Sequence, residues 1–301
     1  MKTKKKRPIL LLTLLCALLF SACGMEEKTT ETATMPKTMK EFTTETTTQA
    51  APGETWIDPW DESYVHPSSE EPMAICNLFP DPWFALEVAR LFEKDATDTV
   101  TYKELASYNG SIGAAKSPFE SLEGIGYLTG VTELSFYQTG LKYIPPGIGN
   151  LKNLKRIYIY GSDVEILPKE IGDCESLEYF ELISSDITTL PDEIGKLKNL
   201  KELILRGCYE LTRLPDSICK LINLEHLDLA CTKMEGLPEH MGNLQNLVYL
   251  RLFSCQLKTL PQSLRQCEKL EYLNVYDNFE LDEAYKNWFA SEVYLCGVDY
   301  G

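Results

Sequence analysis

The feature that most constrains this chain of 301 residues is a repeat. A unit opens at each of Leu128, Leu151, Cys174, Leu197, Leu221, Leu244 and Cys267, at intervals of 23, 23, 23, 24, 23 and 23 residues. Prolines recur in step at Pro145, Pro168, Pro191, Pro215, Pro238 and Pro261. The one longer copy carries its extra residue in Cys208-Tyr209-Glu210-Leu211. A period this short holds one supersecondary unit. No such unit can bury its apolar positions alone, so the copies must stack into one continuous core.

The pattern inside a copy predicts how it folds. Two apolar residues separated by one, such as Ile157 and Ile159, mark a short strand with both side chains turned inward. Small polar residues follow at Thr139, Ser162, Ser185, Cys208, Thr232, Cys255 and Asn278. Stacked in register, they can satisfy the buried backbone groups of the turn. Each Leu-Pro pair then begins a tight segment whose Ile or Leu returns to the core.

These residues resemble the leucine-rich-repeat family, in the form punctuated by Leu-Pro-x-x-Ile-Gly-x-Leu-x-Asn-Leu. The resemblance covers 128–281 and implies an α/β fold: a right-handed solenoid with a curved parallel sheet on the concave side and short helical or 3₁₀ turns on the convex side. Ahead of it, Asp81-Pro82 opens an apolar-periodic stretch through Phe84, Val88 and Leu91, and Thr101 to Glu104 has capping-box spacing. This region, 75–127, resembles the helical cap of internalin-type bacterial surface proteins, which implies a small helical N-terminal cap fused to the repeats. Asp95 and Asp98 lack the Asp-x-Asp-x-Asp-Gly loop of a calcium site. Residues 282–301 are expected to close the far end.

The N-terminus reads as a targeting signal. Basic residues from Lys2 to Arg7 precede an apolar run from Ile9 to Phe20, too short to span a bilayer and suited to a signal-peptide core. Ser21-Ala22-Cys23 resembles the lipobox of bacterial lipoproteins, with Phe20 departing from the usual Leu or Val. The resemblance implies removal of 1–22 and lipidation of Cys23, with the protein held at the outer face of the cell membrane. Residues 23–74, rich in Thr and Glu, have too few large apolar side chains to offset chain entropy and are expected to form a disordered tether. Without 1–22 the formal charge moves from −16 to −16 − 5 = −21. Such a surface repels phosphate backbones, which excludes nucleic acid as a partner.

No zinc spacing, phosphate loop or nucleotide fingerprint appears, so neither metal nor cofactor is expected. Four cysteines, Cys174, Cys208, Cys255 and Cys267, track repeat positions and read as buried free thiols, with Cys208 and Cys231 the pair to check for a bridge. A Cys231–His226 enzyme lacks an orienting third group, and no catalytic residue is assigned. The outward positions of the strands are the informative ones. They present Tyr137, Tyr158, Tyr160, Ile183, Arg206, Tyr249, Arg251, Phe253 and Tyr276, types that dominate binding energy at interfaces. The expected function is non-enzymatic: a lipid-anchored monomer whose concave face binds a protein partner. The alternative is a glycan or cell-wall ligand stacked on the tyrosines.

Overall fold

The structure, a computed structural model, describes residues 70–282, all within one compact unit, Thr55–Gly301. The signal segment, Cys23, nearly all of the tether and the closing segment beyond Asp282 lie outside the described residues.

A short antiparallel pair, β1 (Met73–Ala74) and β2 (Thr99–Val100), ties together three helices: α1 (Ile75–Leu78), α2 (Pro82–Leu91) and α3 (Tyr102–Ser107). Both sequence-read caps form. The Asp81 carboxylate accepts the Trp83 and Phe84 amides at 3.0 and 3.1 Å, and Thr101 and Glu104 exchange bonds as a capping box. Asp81 also accepts the Glu120 and Ser121 amides with its second oxygen, at 2.7 and 3.2 Å. One side chain therefore starts α2 and fastens it to the first turn of the solenoid.

Eight parallel strands follow in chain order: β3 (Ser111–Ala115), β4 (Glu133–Tyr137), β5 (Arg156–Ser162), β6 (Tyr179–Ser185), β7 (Glu202–Ile204), β8 (His226–Asp228), β9 (Tyr249–Arg251) and β10 (Tyr272–Asn274). The repeat spacing predicts seven, so the sheet begins one strand earlier than expected. Residue 116 explains why β3 belongs to the series. Lys116 has φ 55°, and Ser117 behind it is buried. Every later copy ends the same way, with a left-handed residue at Gln138, Gly161, Ser184, Gly207, Cys231, Ser254 or Asp277 just before the small polar column.

That column is buried throughout. Ser162 and Ser185 share a hydrogen bond of 2.7 Å, and Thr232 donates to the Leu229 carbonyl at 2.9 Å. The Cys208 and Cys255 thiols donate to the Leu182 and Leu229 carbonyls at 3.2 and 3.0 Å. Asn278 accepts the amides of Cys255 and Leu257 and donates to the Leu252 carbonyl at 2.7 Å. Cys174 and Cys267, standing where other copies have Leu, donate to Ile148 and Met241 carbonyls one repeat back. Burial pushes the Cys174 thiol up to about 12 and those of Cys208, Cys255 and Cys267 up to about 11, so these groups pack and donate rather than react. All seven cysteines among the described residues are free thiols, Cys208 and Cys231 included.

On the opposite side each Leu-Pro pair leads into a 3₁₀ turn, as at Lys169–Asp173 and Asp192–Lys196. The Ile-Gly glycine marks where consecutive turns touch. A Cβ on Gly172 would lie 2.3 Å from the Glu193 carbonyl oxygen, and one on Gly195 would lie 2.5 Å from that of Ser217. Cys219 occupies this position in the next copy, and there the following turn shrinks to Met241–Asn243. An external column completes the stack: Asn153, Asn199, Asn223 and Asn246 donate their side-chain amides to Thr129, Glu175, Lys198 and Ile222 carbonyls.

Candidate functional site

The solvent side of the parallel sheet gathers the residues selected from the sequence. Residues one repeat apart pair directly: Tyr137 with Tyr160, Tyr160 with Ile183, Tyr158 with Glu181, Asp228 with Arg251. Side chains of one column therefore stand one strand spacing apart, about 4.8 Å, which is the spacing at which rings stack. Tyr137 and Tyr160 do so with centroids 5.0 Å apart and 17° between planes. Phe253 and Tyr276 lie parallel at 5.8 Å, and Tyr249 and Tyr272 parallel at 4.1 Å.

The selected residues fall into two groups. Tyr137, Tyr158, Tyr160 and Ile183 lie together over β4 to β6. Tyr249, Arg251, Phe253 and Tyr276 lie together over β9, β10 and the residues just after them. Between the groups β8 is recessed, with Ala230 and Asp228 buried, and Arg206 follows β7 beside it. Tyr137 and Tyr276 are well exposed, while Tyr158, Tyr160, Ile183, Arg206, Tyr249, Arg251 and Phe253 are half-buried by their neighbours.

Electrostatics divide this face further. Arg251 donates from Nη1 to Asp228 Oδ2 at 3.0 Å, and its guanidinium lies 5.2 Å from the Tyr249 ring centroid. The other Asp228 oxygen accepts the Ala230 amide at 3.0 Å. Burial nevertheless raises the Asp228 carboxyl above its ordinary value, against the pull of Arg251. Burial also pushes the Tyr249 phenol up to about 12. Arg156 pairs with Glu133 at 3.5 Å and covers the Tyr179 ring at 5.5 Å. His226 Nδ1 meets Glu202 Oε1 at 3.4 Å, and that bond raises the imidazole above its ordinary value. Glu181 is raised by burial first and then by the nearby charges of Glu202 and Asp228.

Selection by residue type passes over Asp228, Glu181 and Tyr272, which are integral to this face. A signal for two of them is present: Asp228 and Arg251 are 23 residues apart, as are Tyr249 and Tyr272, so the repeat alone makes them neighbours. The Cys231–His226 pair is not arranged for nucleophilic work. His226 is engaged by Glu202, and burial raises the Cys231 thiol, the opposite of an activated thiolate. Among the described residues no group of His, Cys, Asp or Glu is placed to hold a metal ion, and no helix is long and apolar enough to cross a membrane.

Comparison with known proteins places this geometry. A family model for a leucine-rich repeat region matches residues 169–291. Curated proteins give no match. Among solved structures, internalin C2 from Listeria monocytogenes is 20% identical over 70% of this chain and 92% of that one, with a TM-score of 0.53. A leucine-rich-repeat protein from Leptospira interrogans is 26% identical over 60% of this chain, with a TM-score of 0.44, and only 58% of its own length is covered. A plant peptide hormone receptor, solved in complex with RGF2, is 26% identical over 56% of this chain and 30% of that one, with a TM-score of 0.47. The eight-stranded parallel sheet, the 3₁₀ turns behind it and the family match over 169–291 together establish the fold as a leucine-rich-repeat solenoid.

Proposed function

We propose that this protein is a non-enzymatic binding module, exported and held as a monomer at the outer face of a bacterial cell membrane by a lipid on Cys23, and that it engages a protein partner through the concave face of the solenoid. The observation that carries the reading is the paired aromatic groups, Tyr137–Tyr160 and Phe253–Tyr276, on the water-facing side of the sheet and of the residues that directly follow its strands. Stacked pairs with one exposed and one half-buried ring bury large area on contact at little entropic cost, and half-buried arginines beside them add directed hydrogen bonds. A glycan ligand is the less favoured reading. Sugars dock on open ring faces, whereas Tyr249 and Tyr272 cover each other at 4.1 Å.

The test places a photo-crosslinking amino acid at position 160 or 253 of the full chain in living cells, with positions 169 and 193 on the opposite side as controls. One protein is expected to be trapped from the concave positions and lost on Tyr137→Ala. Trapping of the same protein from 169 and 193 alone would put the site on the wrong face. The anchor is tested separately: Cys23→Ser should abolish incorporation of labelled fatty acid, and equal labelling of both forms would remove it from the model of function.

A further inference from the structure

The carboxylates and arginines of the sheet face do not balance. Glu133 has Arg156 at 3.5 Å, Asp228 has Arg251 at 3.0 Å, and Glu202 has His226 at 3.4 Å. Arg206 also lies near Asp228, where its charge works with that of Arg251 against the burial that raises the carboxyl. Glu181 is the exception: among the described residues no cation bonds to it, and the charges that reach it are those of Glu202 and Asp228. It sits in the middle of strand β6, directly opposite Tyr158 on β5 and Ile204 on β7. The floor of the face is thus a half-buried carboxylate between a phenol ring and an aliphatic side chain, with aromatic pairs to either side.

We propose that this face docks a protein partner through a lysine or arginine side chain seated over Glu181 against the Tyr158 ring, with apolar residues on either side of that cation resting on the Tyr137–Tyr160 and Phe253–Tyr276 pairs. The inference rests on the concave-face reading above and specifies the chemistry of the partner. A cation there meets an unmatched carboxylate in a partly water-excluded setting, where the attraction exceeds that at an open surface. The ring face adds a cation–π contact. The aliphatic stem of either side chain covers Ile204 and Ile183, which an isolated ammonium or a small metal ion does not do. A partner bringing a carboxylate to the same place confronts Glu181, Glu202 and Asp228 at once and is repelled.

The experiment uses the full chain, immobilised, and three pools of short synthetic peptides whose central residue is basic (Lys or Arg), Glu or Ala, with all other positions randomised. Wild type is expected to retain the basic-centred pool roughly tenfold better than the others. Glu181→Gln is expected to erase that preference while melting at the same or a higher temperature, since it removes a half-buried charge and keeps the shape. Preferential retention of the Glu- or Ala-centred pool, sensitive to Tyr160→Ala, overturns the basic-residue inference and leaves the concave-face reading standing. Retention indifferent to both Glu181→Gln and Tyr160→Ala overturns both. Absence of retention overturns the inference, and so does self-association of the chain that Glu181→Gln dissolves, which makes the occupant a second copy.

Discussion

Asp228 and Arg251 face each other across β8 and β9 at 3.0 Å, and the carboxylate is the more deeply buried of the two. The pair is unequal in what it tolerates. Asp228→Ala leaves a half-buried guanidinium without its partner and the Ala230 amide without its acceptor. It should cost about 2 kcal/mol, the scale of a hydrogen bond to a charged group. Arg251→Met keeps apolar contact with the Tyr249 ring but strands a buried carboxylate, which can take up a proton instead. Its cost should therefore shrink as pH is lowered, whereas that of Asp228→Ala should not. Urea denaturation of both variants at two pH values reads the difference.

The pH dependence of the wild type has a definite sign. His226, Glu181 and Asp228 all have pKa values raised in the folded protein, the first by its bond to Glu202 and the other two chiefly by burial. A raised group contributes its stabilisation fully below its unfolded value and loses it as pH rises through the folded value. All three therefore favour the fold as the solution is acidified from about pH 8 towards about pH 5. Glu104 and Glu178, lowered by Thr101 and Lys201 respectively, oppose this only when pH falls below their ordinary value of 4.5. Calorimetry should show the melting temperature climbing over that window, with the climb reduced near neutrality in His226→Gln and at its acidic end in Glu181→Gln. A steady fall would contradict the assignment.

The turn stack gives a matched pair of glycine substitutions. At Gly172 a new Cβ meets the Glu193 carbonyl at 2.3 Å, backbone that cannot swing aside. Gly172→Ala should destabilise the protein by about 2 kcal/mol or more. At Gly236 the nearest atom is Thr259 Oγ1 at 3.8 Å, so Gly236→Ala should be neutral or stabilising by up to about 1 kcal/mol. Equal losses from the two would mean that the turns are not in the contact described.

Asn278 holds the last described copy to the one before it, accepting two amides and donating to the Leu252, Val275 and Tyr276 carbonyls. Asn278→Ala should cost about 3 kcal/mol, because several buried polar groups lose partners together. The loss should be local. Hydrogen exchange at the Cys255 and Leu257 amides is expected to accelerate strongly, with the Leu182 and Leu203 amides little changed.

The repeat itself was legible because its period makes each inference redundant: the column from Thr139 to Asn278 is read seven times over. The caps at Asp81 and Thr101 were legible because capping is local. Strand β3 was not, since Ser111-Ile-Gly-Ala-Ala115 places one large apolar side chain, Ile112, where later strands place two. The left-handed column was hidden for a different reason. Only Gly161 and Gly207 advertise it; Gln138, Ser184, Cys231 and Ser254 adopt the same backbone because a backbone bond to the next copy and the buried side chain that follows hold them there, and Asp277 repeats it in the last described copy. On the water-facing side of the sheet the aromatic positions follow from register, but the isolation of Glu181 depends on which charges its neighbours have already engaged, and no count along the chain records that.

The external asparagines carry a direction. Asn153, Asn199, Asn223 and Asn246 each donate to a carbonyl in the copy that precedes them and none to the copy that follows. A copy arriving in N-to-C order, as from a ribosome or a secretion channel, finds its acceptor already in place, whereas one arriving in the reverse order would find an unfilled donor waiting. Assembly and erosion are for that reason not mirror images: the solenoid can grow from its N-terminal end one satisfied step at a time, and losing a copy from that end leaves the asparagine donor of the next without its acceptor.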